Sequence, residues 1–219
     1  MSVTGIALIL FLTFHACMNV VALISGEAYN MVCEFLGANW YALVGTAALA
    51  ALAVVHILYA LILTLQNRKA RGASRYAVTS RPSKVEWSSQ NMFALGVIVV
   101  LGLLLHLYNF WFNMMFAELT GMEGSFGPAD GYAYIQQTFS CPVYAVLYLI
   151  WLAALWFHLS HGFWSALQTL GLNGKIWFCR WKVIGIAWVT VVIALFAIVV
   201  LAFSLCPECP GTCALGACN

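Results

Sequence analysis

Five apolar runs, at about residues 4–26, 40–66, 91–116, 142–171 and 183–205, fill most of this chain. Each is long enough to cross a bilayer as a helix, which takes roughly 20 mostly apolar residues. Of the 219 residues 64% are hydrophobic and only 7% are charged, where a soluble domain carries roughly 25% charge. Such a surface cannot keep the chain in water. The strong Gly, Pro and Asn turn signals fall in the connections between the runs. The first run has no basic stretch before it and no clear small-residue cleavage site after it, so it reads as a first mature span. The expected fold is an all-α integral membrane protein. A five-helix transmembrane bundle occupies 1–205, and a Cys-rich tail follows at 206–219.

The charges orient the bundle. All nine basic residues lie in two connections: Arg68, Lys69, Arg71, Arg75, Arg81 and Lys84 in the second, and Lys175, Arg180 and Lys182 in the fourth. The first and third connections carry only acids, namely Glu27, Glu34, Glu118, Glu123 and Asp130. The positive-inside rule makes the second and fourth connections cytoplasmic. The N-terminus is then cytoplasmic and the C-terminus outside, in a bacterial inner membrane. A net charge of +2 says little about partners, and nothing points to nucleic acid.

Six of the eight cysteines, Cys33, Cys141, Cys206, Cys209, Cys213 and Cys218, then face outward. An even count in an oxidising compartment reads as disulfides. The competing reading is a metal site on the four tail cysteines, but "CPEC" has no second CxxC beside it.

All five histidines, His15, His56, His106, His158 and His161, lie inside spans, and the loops have none. An ionisable residue within a bilayer costs roughly 2.5 kcal/mol or more unless it finds a partner. A lone histidine reads as a satisfied polar contact between helices; histidines on four of five spans ask for more. At ~1.5 Å rise per residue, His15 and His106 share the outer half, His56 lies in the inner half, and His158 sits near the middle of its long span. Two pairs at two depths match two stacked haems, each iron taking axial imidazoles from facing helices. Without an open ligand position such centres transfer electrons. Zinc or copper transport would want carboxylates or cysteines at similar depth, and only Cys17 qualifies. His158 and His161 are three residues apart, and spacing alone does not decide between them.

The segment "FHLSHGFWSALQTLG" (157–171) resembles the di-haem cytochrome b membrane anchor of the succinate dehydrogenase and quinol:fumarate reductase family. In that family a glycine follows the ligand histidine, with three residues between them. The resemblance implies His158 as the ligand and Gly162 as the close-approach glycine, with His161 off the iron. It further implies a distal pair of His15 with His106 and a proximal pair of His56 with His158. The depths give the same distal pair independently.

No flavin or nucleotide motif is present, so electrons must pass to partners. The resemblance implies an iron–sulfur subunit and an FAD-containing flavoprotein on the cytoplasmic face, with loop 67–90 as a docking surface that includes Arg81 and Lys84. It also implies menaquinol oxidation near the outer face, and an association of two complexes is one further expectation. Arg180 and Lys182 are candidates for neutralising inner-haem propionates. Glu34 is the candidate quinol proton acceptor, with Glu27 and Glu118 behind it. Part burial would raise such a carboxyl towards a useful range. Phe35, Trp40, Phe110 and Trp111 are candidate slot residues. Some family members carry a proton-relay glutamate two residues before the span-four ligand; Trp156 stands there in this chain. The absence of CxxCH makes the haems type b. The alternatives are a cytochrome b subunit of a hydrogenase or formate dehydrogenase, and a non-haem transporter using histidines as proton carriers.

Overall fold

The computed structural model of the chain describes residues 1–37, 39–71, 86–172, 174 and 176–205. Arg75, Arg81, Lys84, Lys175 and the tail cysteines Cys206, Cys209, Cys213 and Cys218 lie outside the described residues. The described chain is helical, with no strand. Five segments, Ser2–Leu23, Trp40–Ala70, Met92–Thr120, Pro142–Thr169 and Trp177–Ser204, are long and apolar enough to cross a membrane. The architecture fits a multi-pass membrane protein.

Span one is α1 (Ser2–Val20) closed by a 3-10 turn, and span two is α3 (Trp40–Arg71). A single turn, α4 (Trp87–Gln90), leads into span three, which starts as α5 (Met92–His106), widens into a π-helical segment over Leu107–Phe116, and ends in α6 (Ala117–Thr120). Gly121, at φ 67°, stops α6 in the left-handed conformation that glycine adopts without strain. Span four is α8 (Pro142–Thr169), entered through a proline in its first turn, where no amide hydrogen is needed. Span five is α9 (Trp177–Ser204).

This fifth helix starts six residues earlier than the hydropathy pattern predicts, so Arg180 and Lys182 lie inside it. Their long stems allow that. The Arg180 guanidinium lies 5.2 Å from the Trp177 ring centre, and the Lys182 ammonium lies 4.4 Å from Trp164 and 5.3 Å from Phe178. Apolar stems along aromatic faces keep the charged heads near the helix end.

The acidic connections are more ordered than plain loops. α2 (Gly26–Phe35) is capped by Ser25, whose hydroxyl accepts from the Ala28 amide at 3.2 Å. α7 (Gly131–Phe139) is capped by Asp130, which accepts from the Ala133 amide at 3.3 Å. Asn30 ties them together, donating to Asp130 at 2.7 Å and accepting from the Tyr132 amide at 2.9 Å. Gly131 leaves room for the Cys33 sulfur, and Gly26 for the Tyr132 ring. Together the two helices cover one end of the bundle. Cys141 is disulfide-bonded, but Cys33 is a free thiol, against the pairing expected of an outward cysteine. It is packed beside Tyr29, and burial pushes the thiol up to about 11, away from the reactive thiolate.

α8 is the central column. It packs on α9, α5 and α1, and its Tyr148, Leu152, Leu155 and Leu159 join Ile9, Val189, Ile193, Val200 and Phe203 in the core. α3 is different: it packs along α1, has no comparable packing with α5, α8 or α9, and buries no residue of its apolar window. At the basic end, Arg68 of α3 lies 5.7 Å over Phe93 of α5.

α5 comes close to α8 where the Trp151 indole lies against Gly102 and donates to the Val99 carbonyl at 3.0 Å. A Cβ at Gly102 would fall well inside contact distance of that rigid ring. Gly102→Ala is expected to displace the indole and cost about 1–3 kcal/mol, as overpacking does. The check is thermal unfolding in micelles: an unchanged midpoint would show that the ring moves aside freely.

Candidate functional site

Two sets of imidazoles lie within the bundle. His15 belongs to α1, and His106 is the last residue of α5 before the backbone widens. Their ring centres are 5.8 Å apart, nearly edge to face at 84°. α1 and α5 have no substantial helix packing of their own, so these side chains span a gap between helices. Aromatic residues ring the pair. Phe11 and Phe196 lie 5.5 and 5.6 Å from His15, while Phe110 and Trp151 lie 5.2 and 5.8 Å from His106. The same end holds polar supports. Asn19 donates to the His15 carbonyl at 2.8 Å and accepts from the Tyr29 hydroxyl at 3.2 Å. Buried Asn109, in the π-helical segment, donates to Tyr148 at 3.3 Å, and Tyr148 lies 6.3 Å from His106. Widened turns of this kind redirect side chains and recur at functional sites.

The second set is His56 of α3 with His158 of α8, again on helices without comparable mutual packing. They lie within electrostatic reach of one another. The His56 Nδ1 is 3.0 Å from the Thr4 hydroxyl. The His158 Nδ1 is buried with no hydrogen-bond partner. Glycines stand beside both rings: a Cβ on Gly5 would lie 3.6 Å from His56 Cε1, and one on Gly96 would lie 3.9 Å from His158 Cε1. Gly162 faces open space, with no atom within 4 Å of where its Cβ would be. Side chains missing from these positions, and α3 standing away from α5 and α8, leave room between the helices.

His161 takes a different direction. Its Nδ1 lies 3.5 Å from the Glu86 carboxylate, which also pairs with Lys182 at 2.6 Å. Its ring packs 4.8 Å from Trp164. Trp156 turns to span five and donates to Thr190 at 2.9 Å.

The candidate quinone residues do not form one slot. Glu34 is exposed, not part-buried, and lines a polar cleft of about 430 Å³ with Glu27, Asn30, Met31 and Asp130. Phe35 lines a different, apolar groove of about 410 Å³ with Phe14, Met18, Val32 and Leu36. Phe110 packs on His106, while Trp40 is 77% exposed and Trp111 packs on Phe116. The two concavities lie on adjacent faces of α2 and share Met31. Residues 27, 30, 31 and 34 line one and 28, 31, 32, 35 and 36 the other, each at helical spacing. Glu118 approaches Gly37, with its Oε2 3.2 Å from where a Cβ would sit.

Thr4, Trp151, Asn109 and the Glu86–Lys182 pair escape a reading of the sequence alone. Each acts through a neighbour distant in sequence and has no local pattern. Among the described residues no group of three or more His, Cys, Asp or Glu could hold a metal ion. Comparison with family models, curated proteins and solved structures gives no match. The fold and site define a class, a five-span helical membrane protein with paired intramembrane histidines, and its functional reading rests on the chain's own residues.

At the basic end, burial pulls the Glu86 carboxyl upward, but Lys182 and His161 outweigh it and hold the group below its usual range. A carboxylate with a depressed folded pKa adds stability above its unfolded value and loses it as pH falls through the folded one. The protein and Glu86→Gln are therefore expected to differ in thermal midpoint at neutral pH and to converge below about pH 4, the ordinary carboxylate range. Parallel curves across that window would exclude this contribution.

Proposed function

We propose that the chain is the di-haem cytochrome b anchor of a succinate dehydrogenase or quinol:fumarate reductase complex. The observation that carries this reading is the opposition of His15 and His106 across helices that do not otherwise pack together. His56 and His158, also on helices without comparable mutual packing, are the second pair of this reading, nearer the basic end. In this reading His15 and His106 hold the distal iron, and His56 and His158 the proximal one. The open space at Gly162, one helical turn from His158, fits such a group. When bound, the haems supply one-electron transfer between the two faces of the membrane.

The chain's own residues account for the rest. His15 and His106 keep their site apolar through Phe11, Phe110, Trp151 and Phe196, which exclude water. The groove beside Phe14 and Met18 runs next to His15 in sequence and is the proposed berth for menaquinol. Glu34, next to groove-lining Phe35 and open to water, is the proposed acceptor that carries its protons outward. The positive-inside rule puts the α2–α7 end outside and the N-terminus in the cytoplasm of a bacterial cell. The cytoplasmic face would then meet an iron–sulfur subunit and a flavoprotein. Trp156, bound to Thr190, offers no carboxylate for proton relay.

The test is haem quantitation by pyridine haemochrome on the purified membrane complex, with His15→Ala and His158→Ala. Two haems b per chain are expected, with each variant losing one. Absence of haem would replace this reading with a non-haem, histidine-bearing transporter. Haem without co-purifying flavin would favour a hydrogenase or formate dehydrogenase cytochrome.

A further inference from the structure

We infer that Thr4 is a positioning residue for His56, fixing its imidazole as the Nδ1–H tautomer and thereby lowering the electron affinity of the inner centre that His56 would serve. The inference rests on the haem reading only for its redox consequence. The hydrogen-bond inventory carries the first part. A threonine hydroxyl has one proton to give. Thr4 donates it to the Met1 carbonyl at 2.9 Å, and the Gly5 amide donates to the same carbonyl at 2.8 Å. The contact of 3.0 Å between the Thr4 oxygen and His56 Nδ1 is then one in which the histidine donates. A neutral imidazole that donates from Nδ1 carries its lone pair on Nε2, so that nitrogen is the one left to bind a metal. Gly5, one residue on, has no side chain to crowd the ring, whose Cε1 would lie 3.6 Å from a Cβ there.

The second part follows from the contrast with its counterpart. His158 Nδ1 is buried without a partner. Among the described residues, neither His15 nor His106 has a side-chain hydrogen bond to its ring; their neighbours are aromatic. A ligand imidazole that donates its second N–H becomes a more basic ligand, and hydrogen bonding of this kind is one of the protein's means of tuning a haem's potential. A more basic ligand favours the oxidised iron. Among the described residues His56 is thus the ligand whose basicity a neighbouring side chain raises, and the centre it serves takes a lower potential than it would without that bond.

The experiment is a potentiometric titration of the intact complex, followed in the haem bands, for the protein, Thr4→Val and Thr4→Ser. The same preparations are labelled with nitrogen-15 histidine for magnetic resonance. One potential is expected to rise in Thr4→Val while the other stays, and Thr4→Ser should restore it. The His56 signals should show a protonated Nδ1 in the protein and in Thr4→Ser, and mixed tautomers in Thr4→Val. Loss of one haem in Thr4→Val alone, with Thr4→Ser intact, supports the same positioning role. Two potentials unmoved in Thr4→Val, or moved equally, would overturn the redox part. A His56 tautomer indifferent to Thr4 would overturn the inference outright. A protein without haem but with the Thr4-dependent tautomer would sink the haem reading and leave the positioning standing.

Discussion

An imidazole carried into an apolar bundle gives up the water that would satisfy its two nitrogens, and each polar group left unpaired there costs about 1–3 kcal/mol. Four such rings shape this molecule. They explain why α3 packs along α1 yet stands away from α5 and α8, a stance that would be poor packing if the interior were meant only to exclude water. Close packing loses dispersion energy wherever a gap remains. In the proposed reading, the gaps between spans one and three and between two and four, with an imidazole on each side, are where the two haems would sit.

The ends of the bundle hold those gaps open. At one end α2 and α7 are joined through Asn30, Asp130 and the Tyr132 amide, and they rest on Tyr29 and Asn19, which reach the His15 carbonyl. At the other, Glu86 gathers Lys182 and His161, and Arg68 lies over Phe93 to link α3 with α5. The Glu86 and Lys182 side chains are partly exposed, so their charges remain partly solvated and the value of that pair lies in geometry more than in energy. α8 takes the load between them: Trp151 seated at Gly102 fixes α5 against it at the depth where His106 begins the π-helical segment.

The spans were legible because hydrocarbon imposes one requirement, an apolar run of sufficient length, and this chain meets it five times. The approach of His15 to His106 was legible from depth alone, since rise per residue converts sequence position into height. What depth cannot give is rotation about the helix axis. That is why spacing left His158 and His161 undecided, whereas the structure turns one inward and the other to Glu86. The early start of α9 was hidden because hydropathy counts Arg180 and Lys182 as polar and ignores their apolar stems. The helices α2 and α7 were hidden because their turns are short and their stability comes from each other. Cys33 was misread for a related reason: counting cysteines by compartment says nothing of whether another sulfur lies within reach.

Quinol oxidation needs an apolar berth and a path for protons to water, two demands that conflict within one pocket. α2 separates them. Its apolar face carries Val32, Phe35 and Leu36 and meets Phe14 and Met18 of α1, while its polar face carries Glu27, Asn30 and Glu34. Met31 borders both, so little more than the thickness of one amphipathic helix divides a lipid-like environment from an aqueous one. A carboxylate on the exposed face can hand a proton on to water, whereas one drawn into the groove would meet the desolvation cost of a buried charge. The exposure of Glu34 is therefore compatible with proton transfer at the rim, provided the ring to be oxidised lies near the boundary that Met31 and Phe35 mark.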